Sequence, residues 1–213
     1  KSFRQTWARA IGLSALLTLG ACTAAPRSGS TGEPSAQLLQ RDLDQSIREQ
    51  ARNAPAFDSS GRRMSWGDIV SAASAADVVL IGENHGHPLG LAAAAALWQD
   101  VLSGRPTATL ALEFFERDEQ LALDDFLSGV TSEADFIKAA RRSAGSYPPG
   151  HRDMILRAKA AGRPVIAANA PRRYVRLART DGFDRLAALS DSQRGLFRVP
   201  DGAFDPPYRD NFA

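Results

Sequence analysis

Three short apolar runs, each leading into a polar residue and separated from the next by helix-length sequence, constrain this chain more than any other feature. They are Val78-Val79-Leu80-Ile81-Gly82, Thr107 to Phe115 (TATLALEFF) and Val165-Ile166-Ala167-Ala168-Asn169. Continuous apolar runs of this length, rich in β-formers, suit strands buried on both faces. Between them, residues 88–103 are rich in Ala and Leu, and Glu116 to Leu127 places Leu121, Leu123, Phe126 and Leu127 on one helical side. Further helices are expected over Glu133 to Arg142 and over His151 to Ala161, the latter stopped by Gly162. Pro171 suits the first turn of a helix carrying Tyr174, Val175 and Leu177. Strands alternating with helices predict an α/β fold with a mainly parallel central sheet flanked by helices. Shorter helices are expected over 37–53, where Leu38, Leu39, Leu43 and Ile47 share a helical spacing, and around Ser65 to Val70.

The segment before this pattern is of another kind. Lys1, Arg4 and Arg9 stand without an acid ahead of a short apolar stretch from Ile11 to Leu19. A bilayer span needs about 20 apolar residues, so the stretch reads as a secretory signal. Leu19-Gly20-Ala21-Cys22 has the form of a lipobox, in which the Cys is lipidated and becomes the new N-terminus. Cys22 is the only Cys, so an internal disulfide is excluded. Residues 22–36 are small, polar and rich in Pro, Gly and Ser, a composition suited to a flexible tether. The expected organisation is a signal over 1–21, a tether over 22–36 and an α/β domain over 37–213. Ala213 follows PPYRDNF, which opens a new segment, so C-terminal sequence of that domain is expected to be missing. Lipidation places the chain in the cell envelope on a membrane anchor. Thr23 rather than Asp after the Cys favours the periplasmic face of the outer membrane.

Charge removes one class of partner. The chain has 26 bases and 24 acids, a net of +2, but residues 1–21 hold three bases and no acid. Cleavage leaves 23 bases against 24 acids, so the mature chain carries no basic footprint for nucleic acid.

In open parallel sheets, ligands gather at the carboxyl ends of the strands. The first run ends there in Gly82-Glu83-Asn84-His85-Gly86-His87, the second holds Glu113, and the third ends at Asn169 before Pro171-Arg172-Arg173-Tyr174. Glu83, Glu113 and His85 together could hold a divalent metal, or activate water with one carboxylate as base. Equally, Glu113 could be a buried carboxylate satisfied by an Arg or by helix-start amides. His87 reads as a loop histidine or a site residue, and His151 as a surface residue at a helix start. Tyr147, Tyr174 and Tyr208 are the only tyrosines. A phenolate can bind ferric haem iron, and Arg172 or Arg173 could clamp its propionates. There is no Cys-x-x-Cys-His, no Gly-rich phosphate loop and no Gly-x-Ser-x-Gly elbow.

Taken together, GENH, then ALEFFERDEQLALDDFLSG, then GRPVIAANAPRRYVR resembles the ChaN-like haem-binding lipoproteins, from about Trp66 to Leu189. These belong to a wider Tiki superfamily that also holds erythromycin esterase-like enzymes. The resemblance implies an envelope lipoprotein that binds haem for haem or iron uptake, with a tyrosine ligand at a homodimer contact and an outer-membrane haem receptor as a partner. It matches at Gly82, Glu83, His85 and Glu113. Asn169, Arg173 and Tyr174 lie in a matching block, and Tyr147 precedes the helix leading to the third run. The superfamily link leaves an alternative open: an esterase or metal-dependent peptidase-like hydrolase using Glu83, His85 and Glu113.

Overall fold

Residues 44–143 and 146–199 are described in a computed structural model. The expected signal, Cys22, the tether, the first part of the 37–53 helix and Tyr208 lie outside them. A helix over 44–53 (α1) leads to a hairpin of Ala56–Phe57 (β1) with Arg63–Met64 (β2). Its turn is tied by Asp58, whose carboxylate accepts from Ser60 and Arg62. Trp66–Ala75 (α2) then starts from a capping box in which Ser65 and Asp68 satisfy each other's backbone amides. Asp100 fastens these elements together. It accepts both Nε and Nη2 of Arg52 at 2.9 and 2.8 Å, and Trp66 Nε1 at 2.8 Å.

Pro88–Gly104 (α3) precedes Leu110–Glu116 (β3), a one-turn 3₁₀ helix over Arg117–Glu119 and Gln120–Ser128 (α4). Glu133–Ala139 (α5), Pro149–Ala160 (α6), Val165–Asn169 (β4), Arg172–Asp181 (α7), Asp184–Ala187 (α8) and Asp191–Arg194 (α9) follow. β3 and β4 pair in parallel, Leu110 beside Val165 and Glu116 beside Asn169, with an irregularity between Leu112 and Glu116. The class is α/β, as the alternation predicts. Gly162 takes the left-handed conformation after α6 (φ +61°), the stop expected of it.

The core lies on one face of this pair. Leu112, Phe115, Val165 and Ala167 point into it and meet Trp98 of α3, Leu123 and Phe126 of α4, Phe136 of α5, and Met154, Ile155 and Ala158 of α6. Phe115 is fully buried, and its ring meets Phe136 at 5.5 Å and Tyr147 at 6.3 Å. The other face is open: Ile166 is half exposed and Glu113 is exposed.

Two expectations are corrected here. Val78 to Gly82 is not a buried strand. It pairs with no strand among the described residues, and Val78 and Leu80 are 74 % and 92 % exposed. A two-face-buried strand needs a hydrogen-bonded neighbour and cover on each side; here β3 pairs with β4 and helices cover one face. Likewise Glu113 is no buried carboxylate. The strand alternation turns Leu112 inward and leaves Glu113 on the open face.

Gln120 closes the outer edge of β4. Its Nε2 donates to the Val165 carbonyl at 2.9 Å and its Oε1 accepts the Ala167 amide at 2.7 Å. One amide side chain thus answers two backbone groups that point away from β3.

The Ala-rich α3 lets α6 approach closely at Gly150. A Cβ there would stand 2.9 Å from Leu91 Cβ and 3.1 Å from the Leu91 carbonyl oxygen. Alanine in a helix is ordinarily worth about 1 kcal/mol over glycine. At this contact, overpacking of about 1–3 kcal/mol outweighs that gain. Gly150→Ala is therefore expected to lower the urea midpoint, and a raised midpoint would refute the close crossing.

Candidate functional site

Glu83 sits on the irregular segment between α2 and α3, and the local sequence fixes where it faces. Gly86 has φ +76°, a conformation that favours glycine, and the His87 amide bonds back to the Asn84 carbonyl at 3.0 Å. This turn delivers His87 to the N-cap of α3, with Pro88 in the first turn. His87 Nδ1 accepts the Gly90 amide at 3.1 Å. Its lone pair is committed to the cap, so the proton of a neutral His87 lies on Nε2.

The Glu83 carboxylate lies between two other histidines. Oε1 is 3.3 Å from His85 Nδ1, and Oε2 is 3.0 Å from His151 Nε2. His85 is mostly exposed, while His151 is only 6 % exposed and packs its ring 4.7 Å from that of Phe114. Burial holds the His151 imidazole below its ordinary value, against an opposing pull from Glu83. A neutral His151 must then carry its proton on Nε2 to meet the carboxylate. The same reasoning puts the proton of a neutral His85 on Nδ1 and leaves its Nε2 lone pair facing outward. His151 Nδ1 and the Tyr147 hydroxyl are buried without hydrogen-bond partners among the described residues.

His151 is thus not the surface residue that its place in the first turn of α6 suggests. The sequence does carry a signal for its burial: His151, Met154, Ile155 and Ala158 follow an i, i+3, i+4, i+7 stripe, and all four are buried.

A second polar group forms where β3 and β4 end. Glu116 Oε2 accepts the Arg172 amide at 3.2 Å, and Arg173 Nη1 meets Asp118 at 2.6 Å. The Arg173 guanidinium also lies 4.4 Å over the Tyr174 ring, whose hydroxyl is 3.4 Å from Arg173 Nη2. Asn169 stands opposite Glu116, half buried. Next to these, Arg142 donates to the Phe114 carbonyl at 2.8 Å and to Glu119 Oε2 at 3.0 Å, and lies 4.9 Å over the Phe114 ring. Arg142 is a neighbour that no motif marks, while Asp118 and Glu119 lie within the ALEFFERDEQ block without standing out there as site residues.

Of the residues singled out from sequence, Glu83 and His85 come together, and His151 joins them. Glu113 has no hydrogen-bond or ion-pair partner among the described residues. Nor does any group of three or more His, Cys, Asp or Glu side chains among them suit a metal ion, so the Glu83, His85 and Glu113 metal set is unsupported. Tyr147 and Tyr174 are both 6 % exposed. Burial pushes the Tyr147 phenol well up, and Glu133 adds to the effect.

No helix among the described residues is long and apolar enough to cross a membrane. No curated protein and no solved structure matches the chain. Residues 69–213, about two thirds of the sequence, match the family described as haem-binding uptake, Tiki superfamily, ChaN. That span takes in Glu83, His85, His151, both strands of the parallel pair and the arginine-rich start of α7, so the chain belongs to the ChaN family of haem-binding uptake proteins.

Proposed function

We propose that this protein binds haem as cargo through His85 Nε2, on an envelope lipoprotein held by Cys22. The observation that carries the reading is the Glu83–His85 contact at 3.3 Å. Histidines that ligate metals commonly donate their other ring N–H to a carboxylate, which fixes the tautomer and makes the free nitrogen more basic. His85 has that arrangement and is exposed. Haem also needs apolar surface, and the exposed Val78-Val79-Leu80-Ile81 run leads directly into Gly82 and Glu83. Arg172, with its side chain exposed, offers a cation for a propionate. Tyr147 and Tyr174 support ligation less well, because both residues are only 6 % exposed. Glu113, exposed and without a partner among the described residues, lends no support to a hydrolytic pair with Glu83.

Haemin titration tests the reading. The full chain should develop a Soret band at micromolar haemin. Glu83→Gln should weaken binding about 10- to 100-fold, and His85→Ala should weaken it further and shift the band. Tyr147→Phe and Tyr174→Phe should leave the band in place. An unchanged spectrum in His85→Ala, or no band in the parent chain, would overturn it.

The anchor rests on the lipobox and on the Pro-, Gly- and Ser-rich tether behind it. Cys22→Ser in cells should abolish labelling by palmitate and release the protein from the membrane fraction. Labelling that persists would remove Cys22 from the proposal. Delivery to or from an outer-membrane haem receptor, at the periplasmic face, is the role this placement suits.

A further inference from the structure

His151, though buried, has a partner among the described residues for only one of its two ring nitrogens. Its buried ring packs 4.7 Å from that of Phe114, where a wholly apolar residue would sit without polar cost. Nδ1 is buried with no partner among the described residues. Among the described residues its one polar return is the 3.0 Å bond between Nε2 and Glu83. Glu83, for its part, lies on a segment with no strand or helix to hold it. Its two described side-chain partners are His85, which is exposed, and His151, which is embedded in α6. The embedded group is therefore the fixed end of the chain His151–Glu83–His85.

We infer that His151 is a positioning residue: it pins the Glu83 carboxylate, and through it holds His85 in the tautomer whose Nε2 lone pair faces solvent. The tautomer of an imidazole is set by the bond its other nitrogen makes. A Glu83 released from His151 is free to turn to water. His85 would then revert toward the Nε2–H form that an isolated neutral histidine side chain prefers, with no lone pair presented outward. The consequence for haem rests on the reading of His85 as the iron ligand; the tautomer itself does not.

The test is long-range ¹H–¹⁵N NMR of the histidine rings in the haem-free full chain near neutral pH. The parent protein should show His85 protonated on Nδ1. His151→Leu, which keeps bulk but removes the donor, should shift His85 to a mixture or to the Nε2–H form. His151→Gln, whose amide can reach Glu83 from nearly the place of Nε2, should restore the parent pattern. Should His151→Leu fail to fold by circular dichroism, His151→Phe replaces it as the aromatic without a donor. Haemin affinity should fall about 10- to 100-fold in His151→Leu and recover in His151→Gln. A parent His85 protonated on Nε2 overturns the inference whatever the variants do, as does a tautomer unchanged in the donor-less variants. If the tautomer responds as expected while haemin binds none of the proteins, the positioning role stands and the haem reading falls.

Discussion

Phe115→Ala is expected to destabilise the fold by about 3–5 kcal/mol, read as a fall in urea midpoint with little change in slope. Phe115 is fully buried and joins both layers. Its ring lies edge-on to Phe114 at 4.9 Å and tilted to Phe136 at 5.5 Å, and Phe136 in turn stacks on Phe126 at 5.0 Å. Truncation removes the transfer energy of the ring and leaves a cavity whose walls come from the sheet, α4 and α5. The walls cannot close easily, because β3 is held by its ladder and Arg142 caps the Phe114 carbonyl next door. Phe115→Leu should recover more than half of the loss. A cost for alanine below about 1 kcal/mol would show that this cluster does not organise the core.

Arg142→Met is the second large effect, about 3 kcal/mol near neutral pH. It strips a nearly buried carboxylate, Glu119, of its countercharge and leaves the Phe114 carbonyl without its donor. The pH dependence has a definite sign. Burial already raises the Glu119 carboxyl above its ordinary value of 4.5. In a variant without Arg142 it rises further. At pH below 4.5 the carboxyl is protonated in folded and unfolded chains alike, and the penalty is absent. As pH climbs through the raised folded value, the unfolded chain ionises first and stability is lost. Arg142→Met should therefore lie closer to the parent at pH 4 than at pH 7 in chemical unfolding. Arg142→Met with Glu119→Gln should regain much of the difference at pH 7, since the amide keeps an acceptor for the Glu116 amide. A double variant as unstable as the single would mean that the stranded charge is not the cause.

How far residues alone reveal this molecule depends on whether their partners are local. β4 is legible to the residue: Arg163-Pro164 and Ala170-Pro171 bracket five residues of strand. β3 begins at Leu110 rather than Thr107 because the carbonyls of Thr107 and Ala108 accept from the Arg163 side chain instead of a ladder. That partner is more than fifty residues away, beyond any window of periodicity. The helix expected from Glu116 begins instead at Gln120, because Glu119 folds back onto the Glu116 amide and tightens the first turn. The hairpin of β1 and β2 is too short for alternation to register. Val78 to Gly82 has the composition of a strand, but composition does not supply the neighbour that makes one. At the site, the GENH motif exposes Glu83 and His85 to inspection, whereas His151 enters only through tertiary packing. Its apolar phase within α6 is visible in the sequence, but its bond to Glu83, 68 positions away, is not.

The Gln120 amide gives the small sheet a handedness of association. An incoming chain approaching β4 would first have to evict a side chain that already imitates a strand, answering the Val165 carbonyl and the Ala167 amide together. Templated growth from that side is thereby discouraged without proline, charge or a bulge. Ordered pairing of one molecule with another along this sheet is thereby steered away from β4, and contacts between copies take a single polarity.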